Sequence, residues 1–121
     1  MARYVDGYVL PVPKRSLPAY RRMAKGGARI WRKHGALEYF ECVGDDLAVK
    51  FGTPFPRQLK TKRGETVVFS FIVFKSRKHR DAVNAKVMTD PGLNAMMKDV
   101  KKMPFDMKRM LYGGFSVLVE A

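Results

Sequence analysis

The segment Glu65–Phe74, Glu-Thr-Val-Val-Phe-Ser-Phe-Ile-Val-Phe, restricts what this chain can fold into more than any other stretch. Successive side chains of a strand point to opposite faces, so Val67, Phe69, Phe71 and Val73 share one side while Val68, Ile72 and Phe74 share the other. Both sides are apolar, and such a strand must be covered on both. A chain of 121 residues has room for one domain, residues 1–121. Its helices can cover one face of a sheet; nothing remains for the opposite face, and a second copy of the chain is the economical cover.

The rest of the pattern supplies that sheet. Tyr4 to Val12 is predicted as a first strand, closed by Pro11 and Pro13. Ser16 then reads as an N-cap, Pro18 is tolerated in a first turn, and Leu17, Tyr20, Ala24, Gly27 and Trp31 recur at helical spacing until Gly35. The Gly26-Gly27 pair inside that helix costs about 1 kcal/mol per glycine relative to alanine. It calls either for close packing on the sheet or for a kink that opens a cavity. Ala36 to Val43 is predicted as a second strand, followed by a long connection through Gly52, Pro54 and Pro56 with strand character near Gln58 to Thr61. Beyond Glu65–Phe74, Ser76 caps a second helix whose apolar side is Val83 and Val87, joined by Ala82 and Met88. Asp90-Pro91-Gly92 breaks it, a short helix from Leu93 to Val100 follows, and Leu111 to Val119 is a last strand in which Gly113-Gly114 marks a bulge or a close backbone approach. The order βαββαβ predicts an α+β fold of ferredoxin-like topology, an antiparallel sheet with helices on one face.

Tyr4-Val5-Asp6-Gly7-Tyr8-Val9, Gly35-Ala36-Leu37 leading to Glu41-Cys42, Asp45-Asp46, Glu65 to Phe71 and the run from Met103 to Phe115 together resemble the small bacterial YbaA-like proteins. The resemblance spans nearly the whole chain. It implies a dimeric α+β barrel, in which two ferredoxin-like sheets pack face to face, and it implies no known activity. The chain departs from that family in its strong positive charge and in the stretch from Lys50 to Arg63.

Bulk properties narrow the function classes. Aliphatic, aromatic and sulfur residues make up 46% of the chain, a globular composition. Cys42 is the only cysteine, which excludes a disulfide scaffold and fits a reducing cytoplasm. The first residues place Asp6 and Gly7 where a signal peptide needs an apolar core, and the longest apolar run is far short of a bilayer span, so a cytoplasmic protein without a membrane partner is expected. The 24 Lys and Arg against 11 Asp and Glu leave a net charge of +13, which attracts polyanions without specifying contacts.

No motif announces a chemistry. His34, His79 and Cys42 fall on three different elements, so no metal site is expected, and Cys42 reads as an inert core thiol. No glycine-rich phosphate loop opens a helix, and no cofactor is expected. Asp6 and Glu41 lie on apolar strands. Each is either a carboxylate of raised pKa suited to general-base work or half of an ion pair with Lys108, Arg109 or Tyr112 nearby. The segment from Pro104 to Tyr112 combines an acid, two bases and a tyrosine ahead of the last strand, where a loop can rim a cavity. Asp6, Glu41, Asp106, Lys108, Arg109 and Tyr112 are therefore the candidate residues for a small organic ligand held between sheet and helices of a homodimer, with a cofactor-independent enzyme as the catalytic form of that reading. The alternatives are an RNA- or polyanion-binding module, using the basic stripe Arg21, Arg22, Lys25, Arg29, Arg32 and Lys33 of the first helix, and a structural interaction protein.

Overall fold

The computed structural model describes residues 2–98 and 103–121. Strands β1 (Tyr4–Pro13), β2 (Glu38–Val43), β3 (Glu65–Phe74) and β4 (Leu111–Ser116) form one antiparallel sheet in the order β2-β3-β1-β4. The connections carry helices α1 (Leu17–Lys33), α2 (Phe55–Leu59), α3 (Arg77–Met88) and α4 (Pro91–Met96). This is the ferredoxin-like arrangement that the two-faced strand demands, with β3 in an interior position. It pairs with β1 from Tyr4↔Phe74 to Pro13↔Glu65 and with β2 from Glu38↔Val73 to Val43↔Val68.

The core lies on the helix side of the sheet. Ile72 and Phe74 of β3 pack with Ile30 of α1, Val83 and Val87 of α3 and Leu93 of α4, while Leu10, Val12 and Val68 pack with Tyr20 and Ala24 of α1. Full burial of each large aliphatic or aromatic side chain contributes about 1.5–3 kcal/mol. The opposite face is open. Across it, register brings Phe40 beside Phe71, Cys42 beside Phe69, and Val9 between Phe69 and Leu111. Phe40 is 47% exposed, Phe69 45%, Leu111 54% and Phe115 62%, a contiguous apolar surface on a single chain.

The glycine pairs are places of close approach. A Cβ on Gly26 would meet Sδ of Met96 at 3.0 Å, and one on Gly27 would meet the Tyr39 hydroxyl at 3.4 Å, so α1 lies tightly on α4 and β2. Gly113-Gly114 makes no bulge, because the β1–β4 register runs unbroken from Tyr4↔Ser116 to Val9↔Leu111. Instead the Tyr4 ring lies on Gly114, where a Cβ would collide with it, and the Phe115 ring lies against Gly7 and Gly113.

Several expectations are corrected. The connection near Gln58 to Thr61 is not a strand: Pro54 and Pro56 set up one helical turn, Phe55–Leu59, closed by Lys60 at a φ of 52°. Ser16 precedes α1 but makes no side-chain cap, since residues Lys14–Ser16 already form a 3-10 turn running into the helix. Ser76 does cap α3, accepting from the His79 amide at 3.1 Å. Ala82 and Met88 are exposed, and only Val83 and Val87 of α3 are buried. Cys42 is exposed, because β2 is an edge strand and the thiol sits on the open face. The helix after Pro91 ends at Met96, and Asp99 and Val100 lie outside the described residues. The last strand ends at Ser116. Among the described residues no helix is long and apolar enough to cross a membrane.

One buried acid ties the helices together. Asp90 caps α4 by accepting from the Gly92 amide at 2.7 Å, and its other oxygen receives His34 Nε2 and Lys33 Nζ, each at 2.7 Å, from the end of α1. Hydrogen bonds from Lys33 and His34, then from the Gly92 amide, hold its carboxyl well below the ordinary aspartate range. A folded-state pKa below the unfolded value gives stability that is present above the unfolded pKa and lost as pH falls through the folded one. Asp90→Asn is therefore expected to lower Tm at pH 7, and the gap to wild type should begin to narrow only below about pH 4 and close as pH falls toward the lowered folded-state value. Thermal melts across that range check it.

Candidate functional site

Glu41 stands on the helix face of β2, two residues after Tyr39 and so on the same side of the strand. Tyr39 donates its hydroxyl to Oε2 at 2.7 Å, and Tyr20 of α1 donates to Oε1 at 2.7 Å. Burial, reinforced by the charge of Glu41, pushes both phenols far above the ordinary tyrosine range, so each stays a donor at neutral pH. Gly27 leaves room for the Tyr39 hydroxyl beneath α1.

Two voids meet at this carboxylate. An open groove of about 390 Å³ runs between α1 and the outer strand, floored by Leu17, Ala24, Val43 and Val68 and rimmed by Arg21 and Lys25. An inner pocket of about 140 Å³ lies toward the middle strands, among Tyr8, Leu10, Trp31, Ser70, Phe105 and Met110. Tyr20, Tyr39 and Glu41 line both. The arrangement is a mostly apolar cleft with one charged acceptor held in place at its centre, the composition of a small-molecule site.

Asp6 is fully buried on the same face of β1, and its partner is Arg80 of α3, whose Nη1 lies 2.7 Å from Oδ1. The same Nη1 donates to the Tyr112 hydroxyl at 3.1 Å, and the guanidinium covers the Tyr4 ring at 4.9 Å. Burial pushes the Asp6 carboxyl above the usual aspartate range, against the opposing pull of Arg80. Asn84 and Tyr112 lie alongside, yet Oδ2 has no hydrogen-bond partner among the described residues. Tyr112 stacks on Tyr8 at 4.8 Å, and Asn84 receives the Trp31 indole N–H at 3.0 Å. The Asp6 cluster thus stands behind two walls of the inner pocket without lining it.

Asp106, Lys108 and Arg109 sit elsewhere. Asp106 caps a 3-10 turn, Met107–Arg109, by accepting from the Lys108 amide at 3.0 Å, and the Lys108 side chain is exposed. Arg109 grips Glu65 with two bonds of 2.7 and 3.0 Å and holds that carboxyl below its usual range. Of the six candidates, Asp6 and Tyr112 come together, Glu41 stands apart with two tyrosines, and Asp106, Lys108 and Arg109 cluster at one end of the sheet. The rim expected from Pro104 to Tyr112 reaches the pocket through Phe105 and Met110 instead. The basic residues of α1 are exposed, but Arg32 donates to the carbonyls of Ala36 and Leu37 and Lys33 is spent on Asp90. Sequence reasoning missed Tyr20, Tyr39 and Arg80 as site residues. The Tyr39-x-Glu41 alternation was the available signal for one tyrosine, and Arg80 had none, since 74 positions separate it from Asp6.

Comparison with other proteins places the chain among uncharacterised relatives. The family described as "Protein of unknown function (DUF1428)" matches residues 3–107. The uncharacterised protein YbaA of Escherichia coli strain K12 is 42% identical over 118 residues, covering 98% of each chain. A dimeric ferredoxin-like protein from an uncultured marine organism is similar in structure, with a TM-score of 0.66 over 100% of both chains at 11% identity. SnoaB, a cofactor-independent oxygenase from Streptomyces nogalater, has a TM-score of 0.55 over 99% of this chain and 97% of its own, also at 11% identity. At such identities the likeness is one of fold.

The electrostatic coupling at Glu41 is directly testable. In Glu41→Gln the negative charge that helps hold Tyr20 and Tyr39 protonated is gone, so both phenols should ionise at lower pH than in wild type. Ultraviolet absorbance of phenolate during an alkaline titration reads the difference.

Proposed function

This chain belongs to the DUF1428 family, and from that premise and the cleft around Glu41 we propose that it is a cytoplasmic homodimer that binds a small, hydroxylated aromatic acid between α1 and the sheet. The observation that carries this reading is a carboxylate fixed by two tyrosine hydroxyls where an open groove meets an inner pocket. Aromatic and aliphatic walls suit a planar ligand, and Arg21 and Lys25 at the rim suit an anionic tail. Each carboxylate oxygen accepts one hydroxyl and keeps further lone-pair capacity. Glu41 is therefore placed to accept the proton of a phenol or activated C–H while Tyr20 and Tyr39 hold its orientation, the role of a general base in a cofactor-independent enzyme. The oxygenase of similar fold lends this only an analogy, because folds host many chemistries.

The second copy is argued from the open face. Phe40, Phe69, Leu111 and Phe115 form an apolar sheet surface left uncovered among the described residues, and an isologous pairing of two such faces buries it at once. Asp6 and Tyr112 serve in this reading as support for the pocket wall, while Asp106, Lys108 and Arg109 take no part in ligand contact.

Two outcomes are expected. In isothermal titration against a panel of hydroxybenzoates and quinone-like acids, at least one compound should bind wild type, and Glu41→Gln should weaken it about tenfold or more. No binding by any member, or binding indifferent to Glu41, removes the proposal. Phe69→Glu should turn a dimer into a monomer at micromolar concentration in analytical ultracentrifugation, and a wild type that is already monomeric there defeats the pairing.

A further inference from the structure

Sequence alone places the polycationic character on α1, but the fold gathers a second set of exposed cations elsewhere. The connection between β2 and β3 has no acid from Leu47 to Gly64. Its Arg57, Lys60, Lys62 and Arg63 are all exposed. The Lys14 amide donates to the Gly64 carbonyl at 2.8 Å, which brings the exposed Arg15 to the same pole of the sheet. Lys108 joins them, because Arg109 beside it bonds both Glu65 and the Lys60 carbonyl. Among the described residues the acids at this pole are already engaged: Glu65 by Arg109 and the Lys62 amide, Asp106 by the Lys108 amide. Asp45 and Asp46, at the start of the connection, are the next acids along the chain.

Between these segments runs a groove of about 320 Å³, lined by Arg15, Ser16, Lys62 and the Arg109–Glu65 pair, with Asp106 in its wall and Pro104 and Phe105 on its apolar side. We propose that this basic groove holds the phosphate backbone of a single-stranded nucleic acid, with the exposed Phe51 and Phe55 of the same connection offered to its bases. Phe51 is 96% exposed and Phe55 50%, and a base stacks on an aromatic face whatever its sequence. The groove is shallow and mixed in character, cations with apolar residues, which suits a single strand better than a bilayer surface. A duplex fits poorly too, since the one helix of this connection has 5 residues and is too short to read a major groove. The groove shares Phe105 with the pocket beside Glu41, but its polar residues are others and the proposal does not rest on that cleft.

The test is fluorescence anisotropy with a labelled 12-nucleotide single-stranded RNA, across a salt series, using the full chain. Affinity should fall with salt by a log-log slope of about −0.7 for each phosphate neutralised. Arg15→Glu/Lys62→Glu should weaken binding at least tenfold and flatten the slope. Arg22→Glu/Arg29→Glu, on the solvent side of α1, changes net charge equally and should weaken it less than threefold. Circular dichroism confirms that both variants fold. Equal losses in the two pairs, an unchanged affinity in the groove pair, a duplex bound as tightly as the single strand, or preferential retention on phosphatidylglycerol vesicles each overturns the assignment.

Discussion

The sheet is organised by the need of β3 for apolar neighbours on both of its faces. An interior strand is flanked by other strands along its edges, so its faces can be covered only by helices on one side and by something beyond the sheet on the other. Its even-numbered residues from Thr66 to Phe74 settle the first requirement against α1 and α3, where Val68, Ile72 and Phe74 are almost wholly buried. The odd-numbered residues divide. Val67 and Val73 are buried within the chain, whereas Phe69 is 45% exposed amid other exposed aromatic residues. The unfinished part of the core is thus the middle of the outer face, and it coincides with the residues that register aligns across β2, β3, β1 and β4.

On the helix face, two carboxylates meet the same apolar surroundings and reach different ends. Asp6 is closed in: an ion pair satisfies one oxygen, the other is an orphan, and burial works against its charge. Removing one partner of such a pair costs about 3–5 kcal/mol, because it strands a buried charge. That makes Asp6 and Arg80 a fixture, and one that steadies Tyr112 against Tyr8 and Asn84 beneath Trp31. Glu41 lies on an edge strand under a helix that approaches closely only at its glycines. It keeps access to two voids and takes its hydrogen bonds from neutral donors. The difference between the two acids is one of position in the sheet, interior strand against edge strand.

What could be read from the residues followed periodicity. Strand β3, the two main helices, the topology and the open face all follow from alternation or from helical spacing, which depend only on local order. What could not be read depended on which side chains meet across long separations. Asp6 and Glu41 stood out as acids among apolar neighbours, but the choice of Arg80 for one and of Tyr20 for the other is made by helix placement. Cys42 illustrates the same limit. Its neighbours Phe40 and Val43 suggest a core strand, and only the sheet order shows that β2 is an edge whose outer face is bare. The helical turn Phe55–Leu59 was hidden by prolines that read equally well as loop residues.

The charge of the chain is best understood through the same geometry. A net charge of +13 spread evenly would give only diffuse attraction, and on α1 two of the six basic residues are tied down, Lys33 by Asp90 and Arg32 by two backbone carbonyls, while Arg21, Arg22, Lys25 and Arg29 stay exposed. At the far pole the described acids are consumed by local bonds, Glu65 inside a bidentate pair and Asp106 in a cap, so among the described residues the surrounding cations have no local acid to answer them. Self-repulsion among them costs stability, and at exposed positions in high dielectric that cost is small. A fold tolerates such a concentration at a sheet end more easily than on a core-facing helix, because no packing there requires the cations to be close. The open sheet face lies opposite the helix layer, whereas the Glu41 cleft and the basic pole meet at Phe105, which lines a void of each.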